Sequence, residues 1–474
     1  MSAQRGEASA QPACCNASMR RIGLALLACL LLPTAAQARK HRDPVLTTLS
    51  QIERRGGTQA ADAQGWREDY TTAKRAARTL RGTPQSNIRG VLANLGSLAR
   101  RHMLGTRAYP AFLILERNIE WFYSDRRGAP AYGTRTTFDG SELIWQFYPG
   151  SGWQLQPLAN FGRLNGLLKL RKPAAGRLEK FADDMLATAV KRRGFLAFEY
   201  YFPWGGGAPG WISGMATATG MQAFANLSKR DGDPRYATAA RSMLGAFQAP
   251  PPWGVTVQGK AGPSFLLYSQ SPSVLVGNGI AQAVIALDNY RIASGDPDAA
   301  ALVDSAVAEA RRLLPKFDTG AWSLYDRTPT RPGGESDLSY HQLFEGFLVK
   351  LCDKFGDPFC TEGDNFARYE TEPVAISSLK LKVQRKRKRV IASFSLSKRG
   401  SVRVALERSG RTVYSYSAGM TRGRHTLTWR LPKRGAYDLV VDATSLNGIA
   451  SEATTQAKIS ARGRARSRSA TTAR

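Results

Sequence analysis

Four stretches of the chain concentrate tyrosine, tryptophan and glycine beside polar groups: Trp145 to Trp153, Phe198 to Trp211, Tyr268 to Asn278-Gly279, and Phe317 to Arg327 together with Asp337 to His341. Flat aromatic faces suit the C–H faces of sugar rings, whose hydroxyls call for polar neighbours. The same composition serves ordinary loop packing, and on composition alone the two readings stand level. A histidine such as His341 can titrate near neutral pH, although a lone histidine is more often structural. Asp318 and Asp326 can act on a ligand or simply cap a turn.

What would position these stretches is a repeat. Gly-Asp-Pro occurs at Pro234, Pro297 and Pro358, and Pro173 falls one period earlier, a spacing of roughly sixty residues. Glycine ends one helix and proline favours the first position of the next. Apolar residues follow helical spacing on both sides, as in Ile280, Val284, Leu287 before the turn and Val303, Val307, Ala310 after it. The expected unit is a helical hairpin, and a curved row of such hairpins is an incomplete (α/α) toroid. The aromatic stretches then gather at one end around a cleft, with the Gly-Asp-Pro turns at the other.

The texture changes at about residue 373. Segments 379–383, 390–396, 401–406, 412–416, 425–429, 437–441 and 454–459 alternate with period two between glycine and basic turns, which predicts a β-sandwich resembling Ig-like modules. The expected organisation is an export leader over 1–38, a mainly helical region over 39–150, the toroid over 151–372, the sandwich over 373–460 and a disordered basic tail over 461–474. Within 39–150, Asp62 to Leu98 reads as Ala/Arg-rich helix, and Ile114 to Phe122 has no decisive period.

Four motifs then carry a resemblance. Pro209 to Ala216, Tyr268 through Pro272-Ser273 to Asn278-Gly279, Leu314-Pro315 with Phe317 to Gly320 and Tyr325-Asp326, and Tyr340-His341 stand in the order and approximate spacing of the D-glucuronyl C5-epimerase C-terminal domain. Residues 195–370 resemble that family, which implies an incomplete (α/α) barrel and proton abstraction and return at C5 of a uronic acid. It implies catalytic roles for Tyr268, Tyr325 and Tyr340, and substrate contacts from Arg327, Glu199, Trp211, Asn278, Asp326 and His341. Arg327 would clamp a carboxylate through its two-pronged guanidinium, though it lies one place nearer its tyrosine than the family's arginine. Where the family has a glutamate before the first of these tyrosines, this chain has Leu267. Either Glu199 or another carboxylate takes over, or the tyrosines suffice, or the reaction has moved to elimination by a polyuronate lyase route. A protein that binds acidic glycan or cell wall without catalysis is the reading from another class.

Composition bounds the setting. The 474 residues carry a formal charge of +30 and 43% hydrophobic residues, enough for two folded domains. Arg20-Arg21, the apolar run Ile22 to Leu32 and Ala36-Gln37-Ala38 form the pattern of a secretory leader. Leu26-Leu27-Ala28-Cys29 offers a lipoprotein site, but the apolar run continues beyond it. Past the leader two cysteines remain, Cys352 and Cys360, either disulfide-bonded or two small buried thiols. A secreted protein with basic clusters at 380–389 and 462–468 has acidic polysaccharide, anionic wall polymers or a membrane surface as partners, and nucleic acid is not expected. No phosphate loop, nucleotide fingerprint or zinc-ligand spacing is present in the sequence, and neither cofactor nor metal is expected.

Overall fold

The computed structural model describes residues 43–328, 330, 333–460 and the backbone of 467–470. The leader expected over 1–38 and most of the tail expected over 461–474 lie outside the described residues. Four helices come first: α1 (Pro44–Arg54), α2 (Ala60–Thr79), α3 (Gly82–Arg100) and α4 (Ala108–Ile119). The Ala/Arg-rich stretch is thus two helices, parted at Leu80-Arg81, where Gly82 takes φ +62° and Pro84 falls in the first turn of α3. Ile114 to Phe122 lies on α4 and a π turn, Glu120–Ser124. A small antiparallel sheet follows, β1 (Arg135–Thr136), β2 (Trp145–Tyr148) and β3 (Gly152–Leu155), with Arg135 opposite Gln146.

Four helix pairs then realise the repeat: α5 (Pro157–Leu168) with α6 (Arg177–Ala187), α7 (Gly214–Asp231) with α8 (Pro234–Met243), α10 (Gly277–Ser294) with α11 (Pro297–Leu313), and α12 (Leu338–Phe355) with α13 (Phe359–Thr371); α9 (Gly245–Gln248) is one turn after α8. Gly232 and Gly295 adopt the left-handed conformation at helix ends, and Asp233 and Asp296 accept backbone N–H groups of the next helix, which begins at proline. The first and last pairs depart from this pattern: α6 begins after a left-handed Gly176 and not at Pro173, and Pro358 stands before the first turn of α13.

First helices of successive pairs pack on one another in the row α5, α7, α10, α12. Helix α10 is buried over most of its length because it has neighbours on both sides of that row. At Gly220 a side chain would meet Phe161 at 2.7 Å and Met243 at 2.8 Å, so glycine there sets the close approach of α5 and α7. Cys352 and Cys360 are disulfide-bonded and tie α12 to α13. One apolar cluster runs from Val45 to Tyr369; the division expected near residue 150 falls in the β2–β3 turn and does not interrupt it.

Short strands occupy the connections between pairs: β4 (Val190–Arg192) with β5 (Phe195–Ala197), β6 (Thr256–Gln258) with β7 (Pro263–Phe265), and β8 (Leu275–Val276) with β9 (Asp326–Arg327). These connections lead into the N-terminal ends of α7, α10 and α12, opposite the Gly-Asp-Pro turns.

All seven strands expected after residue 373 are present: β10 (Ile376–Gln384), β11 (Arg389–Leu396), β12 (Gly400–Arg408), β13 (Arg411–Met420), β14 (Gly423–Arg430), β15 (Gly435–Ser445) and β16 (Ala450–Ile459). Inside the tail expected to lack structure, β17 (Ser467–Ala470) adds an edge strand to β16, because four more residues of alternating small and polar type complete its open ladder. The sheets β10-β11-β14 and β13-β12-β15-β16-β17 share a second apolar cluster that includes Val390, Phe394, Val404 and Leu439. This unit is held to the helices by Lys398, whose Nζ donates to the carbonyls of Tyr369 and Glu372, and by Glu335, whose carboxylate accepts the backbone N–H groups of Arg399 and Arg422.

Gly220→Val should lower the thermal midpoint, since overpacking a filled contact costs about 1–3 kcal/mol. Gly166→Ala on α5, where an added methyl meets nothing within 4 Å, should leave the midpoint unchanged or raise it slightly. Thermal unfolding followed by circular dichroism compares the two.

Candidate active site

The connections feeding α7, α10 and α12, with the sheet β1–β3, enclose an open cleft of about 300 Å³. Tyr268 lies between β7 and β8, fixed on both sides of Ser269, whose N–H donates to Ile212 O while its Oγ accepts from Ile212 N–H. Tyr325 directly precedes β9 and is held by Gly277 N–H donating to its carbonyl. The Tyr268 and Tyr325 hydroxyls are 3.0 Å apart. Tyr340 stands in the first turn of α12, whose cap Asp337 accepts its N–H, and its ring centre is 4.7 Å from that of Tyr325.

The sheet β1–β3 supplies the other part of the lining. Arg135 Nε donates to Gln146 Oε1 at 2.9 Å. An arginine can only donate, so the Gln146 oxygen must face it and the Gln146 amide nitrogen must face Tyr148 Oη, at 2.9 Å. Gln156 Nε2 also donates to Tyr148 Oη at 2.9 Å, and its own oxygen accepts from the Tyr200 hydroxyl. The Tyr148 oxygen therefore receives two amide donors, while its proton has no acceptor among the described residues. That proton is left for a ligand in the cleft. Tyr200 stacks on Trp211 at 4.1 Å between ring centres, and Tyr148 on Phe202 at 4.2 Å, which fixes both phenols.

Charge in the cleft is one-sided. Among the described lining residues Arg135 is the charged side chain, and it has no carboxylate partner among the described residues. Asn278, buried at the start of α10, presents an amide oxygen without a protein partner among the described residues. Burial pushes the ionisation of Tyr268 upward, and the hydrogen bond from Tyr325 partly offsets this. Tyr325 is driven much further up, by burial first and then by Tyr268. Burial raises the pKa of both hydroxyls, and their mutual hydrogen bond lets one donate to the other when a proton is lost. Burial raises Tyr340 as well.

Of the residues singled out in the sequence, Tyr268, Tyr325, Tyr340, Trp211 and Asn278 line this cleft, while four do not. Glu199 is enclosed by Arg107 and Arg192, with contacts of 2.6–2.7 Å, because it sits one residue before the cleft wall and points the opposite way along an extended segment. His341 is fully buried, stacked on Trp322 at 3.6 Å, bonded to Ser323 Oγ and Phe366 O, and burial pushes its pKa down. Asp326 accepts the Gly334 N–H, a contact within its own connection. Arg327, the next residue on β9, donates to Lys316 O outside the cleft. Sequence reasoning missed Arg135, Tyr148 and Gln156. Tyr148 stood in an aromatic stretch, but the pairing of Arg135 with Gln146 across a loop leaves no local signature.

Residues 193–365 match the family described as D-glucuronyl C5-epimerase C-terminus. That is less than half of the chain, and it contains Tyr268, Tyr325 and Tyr340, whereas Arg135, Tyr148 and Gln156 precede it. An uncharacterized protein of Methanocaldococcus jannaschii is 24% identical over 165 residues, 34% of this chain; the chain spans only about half, 52%, of that relative. Among solved structures, cellobiose 2-epimerase from Bacillus thermoamylovorans B4167 superposes with a TM-score of 0.38 at 12% identity, covering 61% of this chain and 76% of that one. Unsaturated glucuronyl hydrolase from Bacillus sp. GL1 does so with a TM-score of 0.33 at 13% identity, covering 69% and 82%.

If Glu199 holds the fold, Glu199→Gln should destabilise the protein by about 3–5 kcal/mol, because two buried guanidinium groups lose their countercharge. A denaturant melt that moves no further than a surface control would restore Glu199 as a candidate for chemistry.

Proposed function

We propose that this protein is an exported enzyme that acts on uronic-acid polysaccharide, abstracting and returning the proton at C5 of glucuronyl residues. The observation that carries the reading is the hydroxyl pair of Tyr268 and Tyr325, 3.0 Å apart, in a cleft whose charged lining group among the described residues is Arg135, with no carboxylate partner among them. The family match of residues 193–365 supports it, as does the disulfide Cys352–Cys360, a feature of oxidising compartments. In this reading the row of helix pairs is an incomplete (α/α) toroid and the C-terminal sheets are an Ig-like module.

The chemistry follows from the groups present. The substrate carboxylate is bound by Arg135, whose charge stabilises the enediolate that forms as the C5–H bond breaks. Tyr268, ionised and holding a hydrogen bond from Tyr325, takes the C5 proton. The electron pair passes into the carboxylate, and a phenol returns a proton to C5. Return to the face opposite the one attacked inverts the centre, and Tyr148, whose hydrogen is free to donate, is the group we assign to that step. Loss of the C4 substituent from the same enediolate would instead give a lyase product.

Incubation of glucuronate polymers in deuterated water separates these outcomes. Deuterium at C5 without unsaturated ends is the expected result; ultraviolet-absorbing unsaturated ends mean elimination, and neither overturns the reading. Arg135→Gln should lower kcat/KM by roughly 100-fold to 1000-fold, the range for removing one such stabilising group. The active form requires a phenolate whose pKa is raised, so it is scarce at neutral pH, and the rate should climb with pH on the alkaline side. Tyr325→Phe removes the bond that favours the Tyr268 phenolate and should shift that climb to higher pH. A pH–rate profile unchanged by Tyr325→Phe would contradict the assignment.

A further inference from the structure

The strands β10, β11 and β14 turn one face inward onto the second apolar cluster and the other outward. The inward residues include Leu381, Val390, Ala392, Phe394, Leu427 and Trp429. By the strand alternation and the observed register, the outward row contains Lys380, Lys382, Arg389, Arg424 and Arg430. The rest of that face is hydroxyl or amide, Ser393, Ser395, Thr426, Thr428 and Gln384, apart from Ile391. No acidic side chain lies in these rows, and none of the five cations has a carboxylate partner among the described residues.

Two features make this more than a solvated surface. Arg389 lies directly opposite Arg430, and like charges in that position cost stability. Beyond them the basic turn Arg385–Lys388 continues the positive charge, whereas at the other end Arg424 lies two residues from Arg422, whose N–H is bound by Glu335. Glu335 pairs with Leu324, next to Tyr325, so the face begins beside the segment that carries this one cleft tyrosine. From Arg424 to Arg430 the strand runs about 20 Å, enough for several sugar rings.

We propose that this outward face binds a length of acidic polysaccharide, a site separate from the cleft that holds the polymer while a residue of it is worked on. It rests on the reading of the substrate as a uronate polymer. Cations and short hydroxyl groups share one face of the sheet, so carboxylates and sugar hydroxyls of a polymer can be paired together. The face lacks the aromatic platforms that stack bases and the large apolar side chains that enter a bilayer.

The test measures binding without turnover, on the full chain, using size-fractionated polyglucuronate, neutral dextran, duplex DNA and phosphatidylglycerol vesicles. The variant K382S/R389S/R424S/R430S should bind polyglucuronate about tenfold or more weakly, since each exposed pair contributes a few tenths of a kcal/mol. The control R411S/K458S, on the other sheet, should bind as the wild type does. Thermal midpoints equal to wild type show that both variants are folded. Equal polyglucuronate binding by the quadruple variant overturns the proposal, as does equal loss in the control, or tighter binding of DNA or vesicles than of polyglucuronate at physiological ionic strength. Tyr268→Phe should leave polymer binding intact, so failure of the catalytic reading and failure of this one are seen separately: C5 exchange reports the first, and the quadruple variant reports the second.

Discussion

The carboxylate of Glu199, sealed between two guanidinium groups, is the constraint on which the site depends. Its oxygens accept from Arg107 and Arg192, so residues from the opening helices and from the β4–β5 connection converge on one point. Arg192 also donates to the carbonyls of Gly210 and Pro252. The next residue along from Glu199 is Tyr200, whose backbone pairs with Trp211 and whose ring stacks upon it. A buried ion pair contributes little net stability, yet losing one member is costly. Its effect here is on geometry: the aromatic wall cannot shift without stranding charge in the interior. It also explains why the opening helices share a core with the helix pairs, since Arg107 belongs to the segment just before α4.

Legibility in the sequence followed the range of the forces involved. The hairpin turns were readable because Gly-Asp-Pro encodes a helix stop, a cap and a helix start within three residues. The strands after residue 373 were readable because each side has its own solvent environment, so alternation appears in the sequence. The catalytic candidates were legible in part: Tyr268, Tyr325 and Tyr340 came through motif order, and all three reach the cleft. Glu199 and His341 did not, because local sequence says that a polar residue is present but not which way it faces. Burial of Glu199 is decided by Arg107, ninety-two positions away, and burial of His341 by Trp322 and Phe366. Arg135 was hidden for the same reason: its role comes from a cross-strand partner.

Leu267 has a consequence for electrostatics that goes beyond the loss of a proton carrier. It lines the cleft, so a glutamate there would place a negative charge beside Tyr268. With leucine the described lining has one formal charge, and it is positive. An anionic ligand would meet no like charge there, and Tyr268 has no carboxylate on its neighbour in sequence to oppose its ionisation. The same change adds apolar surface to the cleft, which raises the cost of ionising a group within it. The hydrogen bond between Tyr268 and Tyr325 works against that cost without help from any carboxylate.

The distribution of positive charge separates cations that fold the protein from those left free. In the helical part, Arg107, Arg163, Arg177, Arg192, Arg241 and Arg312 are all committed to carboxylates. In the sheet β10–β11–β14 the outward cations have no such partners among the described residues, and Arg389 faces Arg430 across strands. Charges of one sign crowded on a sheet oppose its formation, and the cost falls when a polyanion or salt screens them. A fold that needed only stability would intersperse acidic residues there, as it does between Arg403 and Asp442 on the neighbouring sheet. What distinguishes the two sheets is therefore the acidic residues, present on β12, β15 and β16 and missing from the outward rows of β10, β11 and β14.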